Sequence, residues 1–243
     1  KLQCCNGEEL TVAKLASVDS LLDAPCYTLP EAARYVRLPV ATLRSWVLGR
    51  AYPRRDGAGF FAPLIQPPAP SGAVVFLSFS NLIEAHVLRA LRQQHRVSVE
   101  SVRGAVQYAG EQLGIERVLL SPELRALGGD MFIEHYGSLI NLSRSGQLTL
   151  KHLFRNHLER VDWGDYPRPV RLFPFVEDGS SSRVIQIDPR MAFGKPVIAG
   201  KGVSTSVIVE RFEAGESLQD LQEDYDLEAT EVEAAIIYEQ QAA

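Results

Sequence analysis

Arg34, Arg37, Thr42, Arg44, Ser45, Arg54 and Arg55 lie close together in the first quarter of the chain and are of the types that contact nucleic acid. A guanidinium pairs with phosphate oxygens or with the O6/N7 edge of guanine through its forked N–H donors, and short hydroxyls complement base edges. Arg44 and Thr42, with Ser45 beside them, are the residues expected at base edges. Arg34, Arg37, Arg54 and Arg55 are expected at phosphates, which fix register without reading sequence. The competing reading is a helical hairpin whose arginines are merely solvated.

These side chains need two short helices and a tight turn between them, and Thr28–Gly49, TLPEAARYVRLPVATLRSWVLG, reads that way. Thr28 is placed to cap the first helix, and Glu31, three residues on, completes a capping box. Ala32, Ala33 and Val36 form its apolar stripe, and the small alanines let a second helix approach. Arg37 and Leu38 make the turn, and Pro39 suits the opening of the second helix. That helix is expected to bury Leu43, Trp46 and Val47 and to stop at Gly49. The pattern predicts a helix-turn-helix.

Charge is divided along the chain. Its 243 residues carry a net charge of −5, yet Pro30–Gly104 holds ten arginines against four acidic residues, and Ser204 to the end holds eleven acidic residues against Arg211 alone. A basic front and an acidic back suit two different partners, DNA and protein, rather than one. With 46% hydrophobic and 23% charged residues the composition is that of a globular protein. No apolar run approaches the roughly twenty residues of a membrane span, and the chain opens at Lys1 without a signal-like segment, so no membrane partner and a cytoplasmic location are expected.

Other chemistries find little support. Cys4, Cys5 and Cys26 fit neither a disulfide framework nor a zinc site, and His152 and His157, five residues apart, do not share a helix face for chelation. GKPVIAGKG approaches a phosphate-binding loop, but five residues separate Gly194 from Gly200, and Gly202 stands where a Ser or Thr is needed. No Ser/His/Asp grouping or pair of carboxylates at suitable spacing is evident. The chain is expected to be no enzyme, with no metal and no cofactor.

Along the chain, the Pro-, Gly- and Arg-rich stretch after Gly49 reads as a long loop or wing, with an extended pass near Phe60–Ile65. Val74–Leu77 is a short strand. Ser80 is expected to cap a helix burying Ile83, Val87, Ala90 and Leu91, and Ser98 to start another with Val99, Val102 and Val106 inward. This order, together with Thr42-Leu43-Arg44-Ser45-Trp46 after the turn, LIEAHVLRALR at 82–92 and Ser98-Val99-Glu100-Ser101-Val102-Arg103, resembles the DNA-binding domain of MerR-type regulators. The resemblance covers about residues 27–113 and implies a winged helix-turn-helix. Here the wing is longer and proline-rich, and no dimerising coiled coil or cysteine-bearing effector segment follows, so metal or drug sensing is not implied.

Residues 115–178 read as a small α+β segment: a hairpin about Tyr136-Gly137-Ser138, a helix with Leu150, Leu153, Phe154, Leu158 and Val161 on one face, then an extended piece from Pro167 to Phe175. Glu177–Ser182 is the best candidate linker. Beyond it, Val184–Pro189 is a strand, 193–203 a glycine-bounded hairpin or loop, and three helices follow. The first has Val207, Ile208 and Phe212 on one side. The second opens at Ser217 with Leu218 and Leu221 inward. The third starts at Thr230 and buries Val232, Ile236 and Ile237.

Asp188-Pro189, Gly194-Lys195-Pro196-Val197-Ile198, Gly215-Glu216-Ser217 and Ala234-Ala235 give 184–238 a resemblance to the small C-terminal domain of predicted antitoxins often encoded beside PIN-domain (VapC-like) RNase toxins. The whole chain is thus similar to a VapB-type antitoxin of a type II toxin–antitoxin system. The expected architecture is α+β and predominantly helical. It comprises a winged helix-turn-helix over 27–114, the small segment over 115–178 and a dimerisation or toxin-binding module over 183–240. The resemblance implies an autorepressor that binds operator DNA, forms a homodimer and neutralises a PIN-domain RNase. Val184, Ile187, Val197, Ile198, Glu228, Glu231 and Ile236 are the expected toxin-binding or dimerisation residues, because an exposed strand edge can pair with a second copy and an acidic helix repels phosphate. The alternative is a stand-alone MerR-like transcriptional regulator.

Overall fold

The computed structural model describes residues 20–54, 57–69, 74–93, 103–104, 117–120, 158–164, 168–174 and 183–242. A short strand, β1 (Tyr27–Thr28), leads into α1 (Leu29–Tyr35), and the predicted capping box is present: Glu31 N–H donates to Thr28 Oγ1, and Thr28 N–H donates to the Glu31 carboxylate at 2.9 Å. Ala32 and Ala33 are buried, so α2 (Val40–Leu48) packs closely across the turn, with Leu38 buried in the angle and Arg37 in the left-handed region at φ 53°. Leu43, Trp46 and Val47 face inward as the spacing predicts.

The first strand of the wing comes sooner than the extended pass expected near Phe60–Ile65. Gly49 ends α2 at φ 75°, and a Cβ there would stand 2.5 Å from both the Phe60 ring and the Phe61 carbonyl oxygen, so only glycine permits this reversal. The chain passes directly into β2 (Arg50–Arg54), which pairs antiparallel with β3 (Gly57–Phe61) in the register Arg50↔Phe61. Tyr52 stacks on Phe61 with ring centroids 4.2 Å apart, a contact that helps hold the ribbon. Leu64 and Ile65, expected to be extended, instead turn inward. Both amides donate to the Trp46 carbonyl, at 2.7 and 3.0 Å, which satisfies the end of α2.

β4 (Phe76–Leu77) pairs antiparallel with β1 and runs into α3 (Phe79–Gln93). The cap is Ser78, not Ser80. Ser78 Oγ accepts from Asn81 N–H at 3.2 Å while Asn81 Oδ1 accepts from Ser78 N–H at 3.1 Å, and this start buries Phe79 completely. Ile83, Val87 and Ala90 are buried, but so are Glu84, His86 and Arg89, so the helix is enclosed all round rather than on one face. Glu84 is held by Arg117 at 2.9 and 3.0 Å and by Asn81.

Val161 was expected on a helix and lies on a strand. β5 (Val161–Trp163) pairs with β6 (Pro169–Leu172), Val161↔Leu172, because the long-range ladder satisfies this backbone where a helix face alone would not. β7 (Ile185–Gln186) pairs with β8 (Val197–Ile198), and Ile187 exchanges hydrogen bonds of 2.8 and 2.9 Å with Leu172. The C-terminal hairpin is thereby joined to the middle segment. Three helices follow: α4 (Thr205–Glu213), α5 (Leu218–Tyr225), with the capping box Ser217/Asp220, and α6 (Ala229–Ala242). On α4 the buried pair is Thr205 and Ile208. Val207 stays 38% exposed because it lies off the Thr205/Ile208 stripe, and Phe212, on that stripe but in the last turn, stays 37% exposed. On α6 Val232, Ala235 and Tyr238 are buried, with Ile236 and Ile237 at the flanks.

The helix expected from Ser98 to Gly114 with Val99, Val102 and Val106 inward (residues 103–104 apart), the hairpin about Tyr136-Gly137-Ser138, the Leu150–Phe154 helix face, the linker Glu177–Ser182 and Arg55 lie outside the described residues. Among the described residues, no helix is long and apolar enough to cross a membrane, and no group of His, Cys, Asp and Glu could hold a metal ion.

Candidate nucleic-acid interface

The outward face of α2 follows from which residues it buries. Leu43, Trp46 and Val47 turn inward, which leaves Val40, Ala41, Arg44 and Leu48 exposed and Thr42 and Ser45 half-buried at the flanks. No acidic residue stands on this helix, and Arg44 forms no ion pair among the described residues. Pro39 at the N-cap offers no side-chain acceptor at this exposed end, and Thr42 N–H donates to the Pro39 carbonyl at 2.9 Å. Thr42, Arg44 and Ser45 thus share one accessible helix. Arg50 is exposed at the root of the wing, Arg54 ends β2, and the Arg103 guanidinium lies 5.1 Å from the centre of the Phe61 ring.

Arg34 and Arg37 are drawn elsewhere. Arg34 Nη1 lies 3.4 Å from Glu239 Oε2 on α6, and the Arg37 guanidinium sits 5.6 Å from the centre of the Tyr238 ring. Burial alone would lower the Arg34 pKa, but Glu239 and the neighbouring tyrosines carry it above its ordinary value. Tyr238, fully buried, donates its hydroxyl to the Tyr35 carbonyl at 3.4 Å, and burial pushes that phenol well up. Glu239 also accepts from Thr205 Oγ1. α6 is therefore fastened onto α1 by a phenol and a carboxylate that sequence spacing gave no reason to connect.

The C-terminal candidates separate in the same way. Ile187, Val197 and Ile198 are buried in the chain's own core and Val184 packs beside it, while the backbone of Ile187 and Ile198 is already paired within the chain. Glu228 is exposed, Glu231 accepts from the Glu228 amide at 2.8 Å to cap α6, and Ile236 is half-buried. Two roles do not show in the sequence. One is that of Asp188, 1% exposed, which accepts from Arg190 N and Nε at 2.9 Å and from Nη2 at 2.6 Å. Burial would raise its pKa, but those hydrogen bonds, with Arg171 nearby, hold it below the usual carboxylate range. The other is that of the apolar part of the α2 surface together with Phe60, 63% exposed on the wing.

Residues 25–106 match the family described as "Putative DNA-binding HTH domain", and residues 185–238 match "Protein of unknown function (DUF433)". Over 223 residues, 84% of this chain and 89% of the relative, the sequence is 30% identical to "Putative antitoxin VapB45" of Mycobacterium tuberculosis (strain ATCC 25618 / H37Rv). The chain belongs to the VapB antitoxin family. A second relative from that organism, "Uncharacterized protein Rv2308", is 24% identical over 91% of this chain and 93% of its own. The crystal structure of Rv2018 from Mycobacterium tuberculosis shares the fold, with a TM-score of 0.64 at 23% identity, covering 88% of this chain and 98% of that chain. In this VapB-family chain the match to the putative DNA-binding HTH domain spans α1, α2, the wing and α3, and the DUF433 match falls on the hairpin and three helices after the middle segment.

Proposed function

We propose that this chain is the antitoxin of a type II toxin–antitoxin pair: it represses its own operator as a homodimer and neutralises a PIN-domain RNase. The observation that carries the DNA half is the exposed, acid-free face of α2 bearing Arg44, with an arginine-bearing wing beside it. In this reading Arg44 and Thr42 approach base edges, and Arg50 and the wing arginines Arg54 and Arg55 meet phosphates. Dimerisation doubles the contact, because two half-sites convert a weak single-module affinity into a useful one.

The toxin half draws on the exposed carboxylates of α4–α6, among them Glu210, Glu213, Glu223, Glu228 and Glu233, with Val207 and Phe212 exposed on α4. An RNase must present cationic surface to its substrate, and an acidic partner covering that surface both steers association and blocks the site. Co-expression with the neighbouring nuclease gene tests this directly. The expected result is restored growth and a co-purifying complex. Operator binding that weakens on Arg44→Ala, with no complex and no rescue, would leave a stand-alone regulator instead.

A further inference from the structure

The exposed surface of α2 is apolar on both sides of its arginine. Val40 is 44% exposed and Leu48 38%, Ala41 is exposed between them, and Arg44 stands at i+4 from Val40 and i−4 from Leu48. Phe60 extends this strip: its ring lies against Gly49, the residue after Leu48, and is itself 63% exposed. A helix that only met phosphate would gain nothing from valine and leucine in water, and their exposure costs solubility. The apolar feature that the major groove offers beside a guanine O6/N7 edge is the thymine 5-methyl group. Helix N-terminal residues are the ones that reach base edges, which places Val40 and Ala41 deepest. A cation flanked by apolar side chains, on a helix with no acid, complements a groove that carries both negative potential and methyl groups.

We propose that α2 reads a guanine through Arg44 and the methyl groups of adjacent thymines through Val40, Ala41 and Leu48, so that the preferred half-site is a guanine flanked by thymine. This rests on the DNA-binding reading above and specifies its target.

The test uses the full chain and duplexes it selects from a random-sequence library. Each thymidine of the selected duplex is replaced in turn by 2′-deoxyuridine, which removes one methyl and leaves every hydrogen-bonding group in place. Positions next to the selected guanine are expected to lose about fourfold in affinity per contacted methyl at fixed salt. Val40→Ala, checked for intact helicity by circular dichroism, is expected to bind the thymidine duplex more weakly and to lose the deoxyuridine penalty at one position. Tight binding that is indifferent to deoxyuridine at every position overturns the proposal while leaving DNA binding intact. A chain that selects no duplex even at low salt overturns the DNA reading and this inference together. If Val40→Ala and Leu48→Ala leave DNA affinity unchanged but dissociate the protein in sedimentation, the strip is a self-association surface and the proposal fails.

Discussion

Asp188 shows how much geometry one carboxylate can fix. It is buried and ionised because Arg190 donates to it three times from the turn that follows β7, and Arg171 of β6 lies 3.6 Å away. Hydrogen bonds to a charged acceptor contribute about 1.5–3 kcal/mol, so Asp188→Asn is expected to cost about 2 kcal/mol at neutral pH in urea unfolding. The folded pKa lies below the ordinary 3.8, so as pH falls the unfolded chain takes up this proton first. The contribution is therefore whole above 3.8 and is lost as pH drops through the folded value, and the wild type and Asp188→Asn should converge in strong acid. At this scale sequence reading succeeds where a contact is local. Thr28 and Glu31 are three residues apart, and spacing alone announced their box. Thr205 and Glu239 are 34 residues apart, and Arg34 and Glu239 lie near opposite ends of the chain, so no periodicity connects them.

Among the elements, the wing depends on a single backbone position. Gly49 combines a positive φ with a space that the Phe60 ring and the Phe61 carbonyl already fill, so Gly49→Ala must strain the turn and displace β3. The expected outcome is a loss of about 2 kcal/mol on thermal unfolding and weaker DNA binding, with the helical signal of α2 retained. Both helices of the DNA-binding motif were readable because caps, a small-residue stripe and a C-terminal glycine are all signals within one turn of where they act. The first strand of the wing was not, because Arg50–Arg54 has no alternation of its own and becomes a strand only by pairing with Gly57–Phe61. The same reason took Val161 out of its expected helix: its partner is Leu172, across a connection that local pattern does not encode. Ser78 and Ser80 are chemically equal as caps, and the choice between them falls to burial of Phe79.

The described residues form two apolar cores, one around α1–α3 and one within the C-terminal module, with α6 fastening the second to the first. Tyr238 belongs to that fastening and to the second core at once. Tyr238→Ala is expected to cost about 3–5 kcal/mol and to split a single unfolding transition into two, read by calorimetry. The basic front and acidic back were legible in the sequence, but their meeting was not, and that meeting changes the electrostatic sum. Arg34 already has a carboxylate partner, Glu239, inside the fold. When duplex DNA binds, cations condensed on it are set free in proportion to the phosphates the protein neutralises, and the slope of log affinity against log salt counts them at about 0.9 each. Arg34, tethered to Glu239, should displace none. Releasing it with Glu239→Gln is expected to steepen that slope by about one cation, so a salt titration of DNA affinity would register a contact made some two hundred residues along the chain.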